Sequence, residues 1–113
     1  MKLTGKCEQE FEKWYCEVYK PSSKLTDINW YYFYVKDNFE VMTPSEKWGV
    51  YVDFFDNVGI IIELDCGNLR HSDEERVYFQ SGIRGHKFSD VKDTRPEART
   101  AAVEKADEIF NNR

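Results

Sequence analysis

The run from Thr43 to Cys66, TPSEKWGVYVDFFDNVGIIIELDC, constrains the fold most, because a helix start, a helix stop and a strand follow one another with no room for a loop. Thr43 and Glu46 stand in the relation of a capping box: the threonine hydroxyl accepts from the Glu46 amide and the glutamate carboxylate turns back toward Thr43. Pro44 fits the first helical position, where its missing N–H costs nothing. A turn of 100° per residue gathers Trp48, Val50, Tyr51, Val52, Phe54, Phe55 and Val58 on more than half of the circumference, so this helix is expected to be covered on two sides. Glu46, Gly49, Asp53, Asp56 and Asn57 form the narrow stripe left for water. Gly59 is placed to end the helix in a left-handed conformation. Ile60, Ile62, Leu64 and Cys66 then alternate with Ile61, Glu63 and Asp65, the period of a strand with one apolar face.

A chain of 113 residues is expected to form one domain over 1–113 and to bury roughly 65% of its unfolded surface, enough for a core without staples. Its three cysteines are odd in number and show no paired spacing, and the start MKLTGK lacks the apolar stretch of a secretory signal. A reducing cytoplasm is the expected compartment. The longest apolar run, Trp30 to Val35, falls far short of the ~20 residues a membrane helix needs, so no membrane association is expected. The formal charge of -5 argues against broad attraction to nucleic-acid backbones. The charge is uneven, however: residues 84–99 hold Arg84, Lys87, Lys92, Arg95 and Arg99 against Asp90, Asp93 and Glu97. Aromatic residues make up 16% of the chain, more than a small core readily hides, which places some of them on a binding surface.

Residues 4–20 read as an amphipathic helix, with Cys7, Phe11, Trp14, Tyr15 and Val18 recurring at steps of three and four, Thr4 as cap and Pro21 as stop. Cys16 falls off the apolar stripe and is expected to be reachable by a thiol reagent. Asn29 to Lys36, NWYYFYVK, has strand composition with aromatic side chains on both faces, and Asp37-Asn38 breaks it. Gly67 to Glu75 reads as a polar loop, Arg76 to Ile83 as a strand with Val77, Phe79 and Ile83 inward, and His86 to Val91 as a short returning strand after a bend at Gly82 and Gly85. Thr94-Arg95-Pro96-Glu97 repeats the capping pattern, and Ala98, Ala102, Val103, Ala106, Ile109 and Phe110 line one side of the closing helix. The expected fold is therefore α+β, a small antiparallel sheet of two to four strands with about three helices packed on it.

No stretch carries a catalytic signature. Cys66 and His71 flank the expected loop and could approach each other, with Asp65 beside them, but neither a metal-ligand spacing nor an oxyanion loop accompanies them. The ordinary reading is a cysteine packed inward at a strand end and an exposed loop histidine. Asp53 and Asp56 share a helix face, as carboxylates on any solvated helix do. No cofactor is implied. Gly82-Ile83-Arg84-Gly85 followed by His86-Lys87 reads as a hairpin or bulge, with a phosphate contact through Arg84, Lys87 and Arg76 as the sharper alternative.

Three runs, MKLTGK with FEKWY, WGVYVDFFDNVGI, and TRPEARTAAVEKADEIFNNR, resemble a set of small uncharacterised proteins encoded in Bacteroidetes genomes and by phages and prophages of those bacteria. The resemblance covers about half of the chain. It implies a cytoplasmic accessory protein derived from a mobile element and brings no activity with it. The expected function is a non-enzymatic module that binds a protein, a host protein among the candidates, through Trp30, Tyr31 and Tyr34 and the acidic helix stripes. The alternative is a nucleic-acid contact through Arg84, Lys87, Lys92 and Arg95; an enzyme of unspecified reaction comes third. A homodimer through the aromatic face is the structural counterpart of the first reading.

Overall fold

The computed structural model describes residues 1–19, 36–71, 74–87 and 89–113. In chain order its elements are α1 (Gly5–Val18), a helical stretch α2 over residues 36–40, α3 (Pro44–Asn57), β1 (Ile62–His71), β2 (Glu74–Ile83), β3 (Ser89–Lys92) and α4 (Arg95–Asn111). The three strands form an antiparallel sheet in the order β1-β2-β3, so the fold is α+β as expected. The strand expected over 29–35 lies outside the described residues. Asp37 and Asn38, expected to break a run, sit inside α2.

α3 forms as its sequence dictates. The Thr43 hydroxyl accepts from the Glu46 amide at 3.2 Å and donates to the Glu46 carboxylate at 3.0 Å, closing the capping box through the two side chains. At the other end the Gly59 amide donates to Asp56 O and the Ile60 amide to Phe55 O, with Gly59 at φ 82. These are the two crossed bonds of a Schellman motif, and the wholly buried Phe55 and Ile60 close over it. Val50, Tyr51, Phe54 and Phe55 are buried, whereas Glu46, Gly49, Asp53, Asp56 and Asn57 are exposed. Phe54 meets Phe11 edge-on and also contacts Trp14, Phe55 and Phe110, which makes it the hinge of the aromatic core.

α4 joins the helical layer to the sheet. It starts at Thr94, whose hydroxyl accepts from the Glu97 amide, and it touches all three strands as well as α1 and α3. Ala98 and Ala102 are wholly buried yet stand outside the aromatic cluster, so small side chains let the helix lie close to the sheet. Val103, Ala106 and Phe110 complete the buried side. Ser81 of β2 is wholly buried, and among the described residues its hydroxyl has no hydrogen-bond partner.

Four expectations need correction. Thr4 does not cap α1 with its side chain: its amide and hydroxyl both donate to the buried carboxylate of Asp107 in α4, at 2.9 and 2.7 Å. The cap comes instead from Asn111, one turn after Asp107, whose Oδ1 accepts from the Cys7 amide at 2.9 Å while its Nδ2 donates to Thr4 O at 3.0 Å. Second, residues 67–71 and 74–75, expected in a loop, are strand, because the β1–β2 register runs from Ile62↔Ile83 to His71↔Glu74. Third, Cys16 is buried and part of the core, while Val18 is 54% exposed, so the inward face of α1 is rotated from the expected stripe at its C-terminal end. Fourth, Cys66 is exposed rather than packed inward, and so is Val77, because both lie toward the far end of a hairpin whose core-facing partners are Ile62 and Ile83 at the other.

Candidate functional site

α1, α2 and α3 converge on a cleft of about 240 Å³. Its floor is aromatic. Phe11 and Tyr15 lie one turn apart on α1, Phe39 comes from α2 and Tyr51 from α3; Phe39 stands edge-on to the other three at 5.2 to 5.4 Å between ring centroids. Helical spacing explains the grouping, since i and i+4 share a face and the capped start of α3 fixes where Tyr51 falls. The rim is charged. Glu8 and Glu12, also one turn apart, line one side, with Lys36 and Glu40 opposite and Lys2 at the end.

Lys36 Nζ lies 3.2 Å from Glu12 Oε1. That hydrogen bond and the Glu12 charge raise the ammonium's pKa against some desolvation, and Glu8 and Glu40 add to the rise. The Tyr51 phenol is pushed up to about 12, first by burial and then by the charges of Glu40 and Glu8. The Lys36 shift reports a negative field inside the cleft, whereas the Tyr51 shift reports burial first and that field second. Tyr15 and Cys16 are raised as well, chiefly by burial, so both stay protonated and neither serves as a nucleophile at neutral pH. An aromatic floor under carboxylates suits an organic cation, because ring faces and carboxylates attract positive charge together. Lys47 already shows the preference: its ammonium lies 5.5 Å from the centre of the Phe39 ring.

Of the residues singled out by sequence, Trp30, Tyr31 and Tyr34 lie outside the described residues. The four basic residues do not form one patch. Arg84 is paired with Glu63 at 3.0 Å and Lys92 with Asp90 at 3.4 Å. Lys87 is exposed in the turn after β2, and Arg95 stacks over the Phe79 ring at 5.3 Å. In β3, Ser89 pairs with Gly82 and Lys92 with Phe79, so about 10 Å of strand separates the Arg84–Lys87 end from the Lys92–Arg95 end. Cys66 and His71 sit five residues apart on one extended strand, about 17 Å along it, which removes both the metal pair and the triad built on their approach. Among the described residues no group of three or more His, Cys, Asp or Glu side chains is arranged to hold a metal ion. Asp53 and Asp56 remain on the solvated stripe of α3.

The cleft itself was not picked out from sequence. Glu8 and Glu12 read as a solvated face, and nothing local shows that Phe39 and Tyr51 would meet beneath them. The one available signal was the i, i+4 pairing of Glu8–Glu12 beside Phe11–Tyr15. No described helix is long and apolar enough to cross a membrane. Comparison of the chain with protein-family models, with curated proteins and with solved structures finds no match.

Proposed function

We propose that this protein is a non-enzymatic binding module that recognises a basic segment of a partner protein, working in the cytoplasm as an accessory protein of the phage or prophage type. The observation that carries the reading is the α1–α2–α3 cleft, with aromatic rings below and three carboxylates on its rim against two ammonium groups, one of them already paired. A lysine or arginine side chain entering it would lay its aliphatic stem on Phe11, Phe39 and Tyr51 and bring its charge to Glu8 and Glu40. Glu10 and Glu17 on the exposed side of α1 extend the negative surface beyond the cleft. The raised phenols and thiols favour binding over acid–base or nucleophilic work, because none of these groups changes protonation near neutral pH.

The test is an array of immobilised peptides of graded charge probed with the pure protein. Capture should favour Lys- and Arg-bearing peptides, weaken with salt, and fall at least tenfold in the Glu8→Lys, Glu40→Lys double variant. Charge-independent capture, or capture that survives the reversal, would sink the reading. The nucleic-acid alternative is the weaker one, since Arg84 and Lys92 have their charges met within the chain.

A further inference from the structure

Between the helix-facing side of the sheet and the first turns of α4 lies a second cavity, of about 220 Å³, bounded by Leu64, Cys66 and Phe79 below and by Arg95 and Arg99 above. Asp65 also borders it, but its pairing with Gln80 puts its side chain on the opposite face of the sheet from Cys66 and Phe79. We propose that this cavity binds the phosphate group of a small molecule, held by the two arginines. The site is separate from the aromatic cleft and does not depend on the reading given to that cleft.

Three features of the arginines point to a missing anion. Among the described residues neither has a carboxylate within ion-pair distance. They stand one turn apart on the same helix, where like charges repel, and in its first turns, where the helix dipole disfavours cations. Arg99 Nε is buried and has no acceptor among the described residues, although its neighbour Nη1 donates to Ser45 Oγ at 3.1 Å. An oxyanion between the two side chains would meet both charges and so offset their mutual repulsion and the helix dipole.

The guanidinium groups are also held in place. Arg95 lies over the ring of Phe79 and Arg99 over that of Trp48, at 5.3 and 5.7 Å, and the Ser45 contact fixes the second further. Stacking on a ring leaves the edge of the fork, with its parallel N–H groups, available to an in-plane acceptor. Phosphate fits this geometry better than a halide does, since two forks address a tetrahedral oxyanion through paired N–H···O bonds. At about 30 Å³ per water, the cavity has room for roughly seven waters, hence for a phosphate group with some of its hydration. Lys92 pairs with Phe79 across the strands, but its charge is met by Asp90.

Cys66 provides the readout, because it lines the cavity and is exposed while Cys7 and Cys16 are buried. Alkylation of native protein by iodoacetamide, followed by intact mass, should therefore report on Cys66 alone. Inorganic phosphate is expected to slow it several-fold relative to chloride at equal ionic strength. In Arg95→Gln and in Arg99→Gln the phosphate concentration giving half protection should rise at least tenfold, and Arg99→Lys, which keeps the charge without the fork, should also lose most of the effect. Should Arg99→Gln fail to fold, the more exposed Arg95→Gln carries the test. Phenyl phosphate and adenosine monophosphate form the second arm: either protecting better than inorganic phosphate identifies a phosphorylated metabolite as the source, and the reverse order identifies the free ion. Protection by phosphate no greater than by chloride, or protection unchanged in the arginine variants, overturns the proposal.

Discussion

Asn111 holds the N-terminus of the chain more directly than any residue near that terminus does. Helix α1 leaves the amides of its first turn without partners inside the helix, and Thr4, the residue of the right type in the right place, spends its hydroxyl on Asp107. The Asn111 carboxamide then does what a cap does, accepting from the third amide of α1 and donating to the Thr4 carbonyl. Gly5 adopts φ 54 at this junction, the left-handed conformation that favours glycine, while a Cβ there would meet Asn111 Oδ1 only at an ordinary contact distance of 3.4 Å. Replacing Asn111 by alanine leaves the Cys7 amide without its acceptor. The expected cost is about 1–2 kcal/mol, the range of a lost N-cap, read as a lower urea midpoint with an unchanged slope. A midpoint equal to that of the wild type would mean that water replaces the carboxamide without loss.

At the scale of elements, the helix α4 shows how the stripe and the sheet depend on each other. Its alanines set the distance to the strands, so enlarging one forces the layers apart: Ala102→Leu should cost about 1–3 kcal/mol by urea denaturation, whereas the same change at the less buried Ala101 should cost much less. Equal effects at the two positions would show that α4 can shift on the sheet without strain. α3 and α4 were legible because their signals are local: a Thr-x-x-Glu box and a proline at each start, and an apolar period through the interior. The hairpin was legible only where a core covers it. Ile62 and Ile83 alternate with polar neighbours as a half-buried strand should, but toward the far end Cys66 and Val77, on the same face, are left exposed and no burial selects the pattern, so charged and polar residues there read as a loop. The cleft and the second cavity were hidden for another reason. Each brings together residues from elements far apart in sequence, Phe11 with Tyr51 and Cys66 with Arg99, and no local spacing encodes such a meeting.

Over the whole molecule, the buried acids that keep their protons set the response to alkali. Cys7 is raised by burial, by its hydrogen bond to Asp107 and by that carboxylate's charge; Cys16, Tyr15 and Tyr51 are raised chiefly by burial. In the unfolded chain the thiols ionise near 9.0 and the phenols near 10.0, so above these values the unfolded state binds fewer protons than the folded one and stability falls as pH rises. The stabilisation is complete below about pH 9 and is lost upward; for Tyr51, from 10.0 to about 12, it amounts to roughly 2–3 kcal/mol at 1.36 kcal/mol per pH unit. The net charge of -5 grows more negative over the same range, and general repulsion pushes in the same direction. Salt separates the two contributions, because it screens repulsion between exposed charges and leaves the cost of ionising a buried phenol almost untouched. Urea midpoints taken at low and high salt from about pH 8 to about pH 11 should fall in both series, with a smaller fall at high salt that Tyr51→Phe reduces further. A high-salt series flat across that range would mean that the buried thiols and phenols ionise in the folded protein as readily as in the unfolded chain, and that charge repulsion alone governs its alkaline limit.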